Sequence, residues 1–166
     1  MGKPAERKKC LRCNERFWIY LAGLLDGEGY FGFNYVGSYP NQHRLTPYFA
    51  PRVTISLTNE KLLRFLKEYI GFGCLRKVKV YNKKHKDCWT LLFPSLMAYK
   101  VVKKIYPFLI LKRRMAKLIL MFYGLPVKTW IKKRGDITPP ELVEVRKKLY
   151  LKAKELNHRG RKNESV

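Results

Sequence analysis

The sequence predicts an α+β fold of order αββαββα: a four-stranded antiparallel sheet backed by helices, with extra C-terminal helices beyond it. Two strand-like stretches near 30–39 and 48–57 precede a helical stripe over 60–70, and two more, 74–81 and 87–93, follow it. Capping residues and glycines fall between these stretches, where chain reversals need them. With 46% of 166 residues hydrophobic and 14% aromatic, there is enough apolar surface for one genuine core and one domain.

The first helix is expected from about Glu15 to Leu25. The nine residues from Phe17 to Leu25 carry no charge, so this helix should be buried on every side, and Asp26-Gly27 is a fitting stop. The first strand alternates, with Phe31, Phe33, Tyr35 and Tyr39 on one face and Tyr30, Gly32, Asn34, Val36 and Ser38 on the other. The loop 37–47, with two prolines, His43 and Arg44, should be exposed. A second strand over Tyr48 to Leu57 turns Val53, Ile55 and Leu57 inward and Arg52, Thr54 and Ser56 outward.

Thr58-Asn59 offers an N-cap to a helix ending at Ile70, whose Leu62, Leu63, Leu66, Tyr69 and Ile70 form the apolar stripe. Gly71-Phe-Gly73 closes it. Strand three (Cys74 to Tyr81), the basic turn 82–86 and strand four (Asp87 to Phe93) come next. Ser95 is the expected cap of a helix to about Tyr106, Pro107 interrupts, and Lys112 to Tyr123 resumes the period. Thr138-Pro-Pro-Glu141 reads as a capping box that opens a last helix ending near Leu156. These boundaries give a basic N-terminal arm (1–14), one domain (15–156) and a tail (157–166) without apolar pattern, expected to be mobile.

Charge narrows the function. Thirty-six Lys and Arg against 12 Asp and Glu give a formal net charge of +24, a field that favours polyanions, nucleic acid first. A basic ribosomal-type protein would share the charge but carry fewer apolar residues and less strand pattern. No stretch is long enough for a membrane span, and Met1 is followed by charged residues rather than an apolar signal core, so a soluble intracellular protein is expected. Cys10 and Cys13 have zinc-like spacing without a second pair, and with Cys74 and Cys88 single, ordinary thiols are expected. His43, His85 and His158 fall in expected loops or the tail, and no Ser/His/Asp or Cys/His constellation is visible.

Carboxylates are scarce, which makes two of them stand out. Leu21 to Gly29 reads Leu-Ala-Gly-Leu-Leu-Asp-Gly-Glu-Gly and joins an apolar helix to Asp26 and Glu28. Gly23 and Gly27, four apart, lie on one helix face where another backbone can approach closely. Asp26 suits capping a neighbouring helix or holding a turn as well as it suits a ligand role. Glu28 suits a metal ligand.

This string closely resembles the motif of the LAGLIDADG homing endonucleases, differing mainly at Gly27 and in glutamate for the last aspartate. The resemblance extends to Ile70-Gly-Phe-Gly73 and to Tyr106-Pro-Phe-Leu-Ile-Leu-Lys112 with the Arg113-Arg114-Met115-Ala116 that follows. The order of elements is also the family's.

Several expectations come with it. A single motif implies a homodimer, its interface including Leu21, Ala22, Gly23 and Asp26. Glu28 from each subunit, with the Gly27 carbonyl, would hold Mg²⁺, with Mn²⁺ able to substitute, since oxygen donors favour such cations. Lys112 takes the place of the family's active-site lysine. The activity implied is cleavage of both strands of a long pseudo-palindromic double-stranded DNA site, leaving short 3′ overhangs. The family's glutamine near the end of the second strand falls on Leu57, which cannot hydrogen-bond.

The open sheet face would read DNA, every second side chain reaching the major groove. Tyr30, Asn34 and Ser38 on strand one, and Arg52, Thr54 and Ser56 on strand two, are the candidates by alternation. By the family register, Arg76 on strand three and Asp87 and Trp89 on strand four join them, Arg76 as the best guanine contact. A maturase of the same fold, binding intron RNA, and a noncatalytic DNA-binding protein are the alternatives.

Overall fold

The computed structural model describes residues 11–37, 47–78, 86–125 and 138–157, with the side chains of 11–13 left out. Ser38, Tyr39, most of the loop 37–47, all of the basic turn but Lys86, the three histidines, the thiols of Cys10 and Cys13, and the tail from 158 lie outside these residues.

Helix α1 runs Leu11–Glu28. It begins ahead of the expected Glu15, taking residues from the expected N-terminal arm, and it passes through the expected stop at Asp26-Gly27. Strands β1 (Gly29–Val36) and β2 (Tyr48–Leu57) follow, then α2 (Glu60–Ile70), β3 (Cys74–Lys77) and β4 (Trp89–Pro94). Beyond them come α3 (Leu96–Ile105), a 3₁₀ turn (Tyr106–Phe108), α4 (Arg113–Gly124) and α5 (Pro140–Asn157). No helix among the described residues is long and apolar enough to cross a membrane.

The four strands form one antiparallel sheet of order β1-β2-β4-β3. Its register places Phe31 opposite Val53, Val53 opposite Phe93, and Leu91 opposite Leu75. One face therefore presents Phe31, Phe33, Val53, Ile55, Leu91 and Phe93, all buried in a single core with the helices. The other face carries Tyr30, Asn34, Arg52, Thr54, Ser56, Arg76 and Thr90, fixed by the same alternation. The sequence thus builds two layers, one sheet face covered and one open.

Local chemistry sets the element ends. Asn59 accepts from the Leu62 amide at 3.0 Å, the N-cap expected for α2. Gly71 closes that helix in the left-handed conformation at φ 85°, its amide bonded to the Lys67 carbonyl, a place that costs glycine nothing. Ser95 does not cap α3: its φ is 47°, and its hydroxyl meets the Tyr48 phenol at 3.2 Å instead. Pro107 ends α3 by a 3₁₀ turn, as a residue without an amide hydrogen should. Helix α5 opens at Pro140, a residue later than a Thr138 cap requires.

Helix α5 packs beside the β1 edge, stacking Tyr150 on Tyr35 and laying the Arg146 guanidinium over the Phe122 ring at 5.0 Å. Burial lowers the pKa of Arg146 and raises that of its neighbour Tyr123. Asn157, expected to start the tail, is the last helical residue and donates its side-chain amide to the Phe31 carbonyl at 2.9 Å. Cys74 and Cys88 are free thiols.

Candidate active site

Two chain segments far apart in sequence lock together at the end of α1. The Asp26 carboxylate accepts the Ile110 amide at 2.7 Å, the Leu111 amide at 3.3 Å and the Lys112 amide at 3.0 Å. These are the residues that enter α4, whose N-cap, Lys112, has no side-chain cap of its own. Asp26 thus does the work of an N-cap from another element. Capping a neighbouring helix, one of the roles its position suggested, is what this geometry shows.

Lys112 completes the exchange. Its Nζ donates to the carbonyls of Leu25 at 2.9 Å, Gly27 at 3.3 Å and Gly29 at 2.5 Å. A helix that ends in two carboxylates works against its own dipole, and an ammonium on the last carbonyls offsets that. Gly29 is forced by the close approach here, since a Cβ would lie 2.5 Å from the Leu25 carbonyl oxygen. With its last turn held, α1 delivers Glu28 as an exposed carboxylate with no hydrogen bond or ion pair to the described residues.

The uncharged helix is not buried on every side. Leu21, Ala22 and Leu25 have no exposure and Asp26 is 9% exposed, so they belong to the chain's own interior. This corrects the expectation that Leu21, Ala22 and Asp26 meet a partner; of the four expected interface residues only Gly23 faces outward. The open side of α1 is instead a stripe of Ile19, Tyr20, Gly23 and Gly27, with Leu24 half-buried beside it. Around Gly23 and Gly27 a Cβ would have no neighbour within 4 Å.

On the sheet, Asn34, Ser56 and Arg76 are exposed on the open face, Thr54 is half-buried there, and Ser38 lies outside the described residues. The Ser56 and Thr90 hydroxyls bond at 2.7 Å across β2 and β4. Tyr30 and Arg52 form a stack, the guanidinium 5.0 Å from the ring centroid.

Trp89 is a correction. It pairs with Leu57 in the register and packs against the core, on the phase of Leu91 and Phe93. Asp87 lies ahead of β4, is exposed, and pairs with Lys77 at 2.5 Å. The family register pointed outward where the alternation Trp89, Leu91, Phe93 points inward. That alternation was also the signal that could have found Thr90 and Leu92, the β4 residues that do face the open side. Leu57 is half-buried against the core.

Among the described residues, no three His, Cys, Asp or Glu side chains gather where a metal ion could be held. At the end of α1 a single chain offers the exposed Glu28 carboxylate and the neighbouring Gly27 carbonyl, which also accepts from Lys112. Both are oxygen donors, and doubling them in a second copy makes a set suited to a hard divalent cation.

An antiparallel sheet with one open face, beside an exposed carboxylate at the end of a glycine-striped helix, defines a two-layered α+β fold. The sequence model of the LAGLIDADG endonucleases matches residues 21–122, and the chain belongs to that family. No curated protein sequence matches it. Among solved structures it is similar to the homing endonuclease I-CvuI in complex with DNA, with 18% identity over 89% of this chain and 87% of that one, TM-score 0.67. The archaeal intron-encoded homing endonuclease I-Vdi141I, complexed with DNA, gives 15% identity over 89% and 87%, also at TM-score 0.67. Against the homing endonuclease I-LtrWI bound to target DNA, the chain is matched over 92% of its length but covers 47% of that protein, at 17% identity and TM-score 0.58.

Proposed function

We propose that this chain is a site-specific DNA endonuclease of the homing type, active as a homodimer that cuts both strands of a pseudo-palindromic duplex and leaves short 3′ overhangs. The observation that carries the reading is the pair of unexplained glycines on α1. In a helix interior, glycine costs about 0.5–1 kcal/mol relative to alanine. Among the described residues nothing requires Gly23 or Gly27, because each has open space where a Cβ would stand. A second copy of α1, approaching along this stripe, supplies the reason. The match to about half of I-LtrWI fits a unit that works in pairs.

Pairing the α1 stripes brings two Glu28 carboxylates to one axis. Mutual repulsion there favours divalent cations, which Glu28 and the Gly27 carbonyl of each copy would hold, Mg²⁺ in the first instance. When bound, such ions lower the pKa of water and stabilise charge on a phosphodiester. The open sheet face, with Arg52 and Arg76, lies along the duplex and reads base edges, while exposed lysines meet phosphate. Lys112, anchored to the α1 carbonyls, keeps a positive charge at the same place and holds Glu28 in position. I-CvuI has been described with target DNA in the presence of Mg in one case and of Ca in another, which agrees with this choice of cation.

The test is cleavage of a randomised double-stranded DNA library by the full chain, with Mg²⁺ and with EDTA. Cutting at one enriched pseudo-palindrome, absent in EDTA, establishes the reading. Binding without cutting points to a noncatalytic DNA-binding protein, with Leu57 in the family's glutamine position as the first cause to examine.

The dimer has its own test. Gly23→Leu fills open space in the single chain, so its folding stability should hold or rise by about 0.5–1 kcal/mol. Sedimentation should nevertheless show the variant as a monomer where the wild type is a dimer. A wild type that sediments as a monomer, or a variant that stays dimeric, removes the homodimer from the proposal.

A further inference from the structure

The open sheet face carries one feature that alternation alone does not predict. Gly32 and Arg52 are cross-strand partners, and Tyr30 stands two residues before Gly32 on the same face. The Tyr30 side chain lies along the strand over Gly32: a Cβ there would come within 2.3 Å of the Tyr30 hydroxyl and 2.6 Å of Cζ. The ring is thereby brought against Arg52, whose guanidinium sits 5.0 Å from its centroid. Arg52 is half-buried, its Nε is buried without a hydrogen-bond partner, and it forms no salt bridge among the described residues.

We propose that Arg52 is the specificity-determining residue of this surface, a reader of guanine in the major groove, and that Gly32 and Tyr30 are its positioning residues. The proposal rests on the reading of the open face as the DNA surface. An arginine recognises guanine by giving two parallel N–H groups to O6 and N7, which demands a fixed orientation of its planar end. A long side chain ordinarily loses much rotamer freedom on binding. Stacking on Tyr30 removes that freedom beforehand and leaves the terminal nitrogens for the ligand. The Nε is buried with no hydrogen-bond partner among the described residues, and the Tyr30 ring is the contact the guanidinium makes there.

Arg76 makes the contrast. It is exposed on the edge strand β3, and no ring or ion pair among the described residues orders it. Gly32 is needed here for the space it leaves, not for its backbone angles. The atoms an added methyl would strike are the far end of Tyr30, which can swing away. Gly32→Ala should therefore fold normally while unseating the ring.

The experiment selects bound duplexes from a randomised pool, in EDTA so that no strand is cut, for the wild type and four variants, with circular dichroism to verify folding. The wild type should enrich a guanine at one position of each half-site. Arg52→Lys should weaken that preference roughly 5- to 150-fold, the range of one bidentate arginine–guanine pair. Gly32→Ala and Tyr30→Ala should each weaken it by at least about 5-fold on the same scale, with other positions unchanged. Tyr30→Phe, which keeps the ring, should stay within about 2-fold of wild type. A preference that survives Gly32→Ala, or one lost with Tyr30→Phe, overturns the assignment and makes Tyr30 the reader or neither. A wild type with no sequence preference at all overturns the DNA reading itself, and this inference with it.

Discussion

Changing Glu28 to glutamine is expected to abolish cleavage while leaving folding and DNA binding intact. The side chain is exposed and bonded to nothing described in its own chain, so an isosteric neutral replacement should move stability by no more than about 0.5 kcal/mol. In the proposed homodimer its chemical effect is large because the axis doubles it: two charges would vanish from one metal site. A bound cation contributes several kcal/mol of charge stabilisation in the transition state, so its loss corresponds to a rate reduction of about 10³ or more. Single-turnover cleavage of the selected duplex in Mg²⁺ checks the rate, and gel retardation of the same duplex checks binding. Full cutting by the variant would show that Glu28 holds no essential metal.

The second large effect concerns Asp26, where the loss is structural first. Alanine at this position removes the acceptor for three amides at the entrance to α4. Ile110 and Leu111 are exposed, at 83% and 76%, so water can reach part of what is lost. We expect a destabilisation of about 2–4 kcal/mol, more than an ordinary N-cap and less than three fully buried charge-assisted bonds. Urea unfolding measures it directly. Because Lys112 donates back to the helix that carries Asp26, Lys112→Met should be coupled to it, with an interaction free energy above about 0.5 kcal/mol in a double-mutant cycle. Additive losses would mean that the two halves of this contact act independently. Cleavage should fall in both variants, since Glu28 stands just beyond the turn they secure.

Much of the fold was legible because its periods are local. The span of β2, the Asn59 cap and the Gly71 stop of α2, and the interruption at Pro107 all follow from neighbouring residues alone. The end of α1 was not legible in the same way. Asp26-Gly27 looks like a stop when only adjacent residues are considered, yet the helix continues because Lys112, far along the chain, satisfies its last carbonyls. Ser95 misled for a similar reason: its hydroxyl is engaged by Tyr48 rather than by the first turn of α3.

Orientation was harder than position. A helix uncharged from Phe17 to Leu25 has no polar face to mark its outside, so the choice between Leu21 and Ile19 as the outward residue could not be made from composition. The packing decides it, and the glycines then make sense. On β4, the resemblance to relatives and the simple alternation disagreed at Trp89, and the alternation was the better guide. The carboxylate at Glu28 was visible from the start, whereas its anchoring by Lys112 needed three dimensions.

The Asn157 contact has a consequence of another kind. β1 is a sheet edge, and an edge strand exposes backbone groups that can pair with any other extended chain. A protein with one uncovered sheet face runs that risk more than most. The last residue of α5 occupies the Phe31 carbonyl, and the opposite edge, β3, ends in the charged pair Arg76 and Lys77. Strand addition is thus disfavoured at one point of β1 by a side-chain amide and at the end of β3 by cationic side chains. These two devices lower the tendency of such sheets to join edge to edge into fibres.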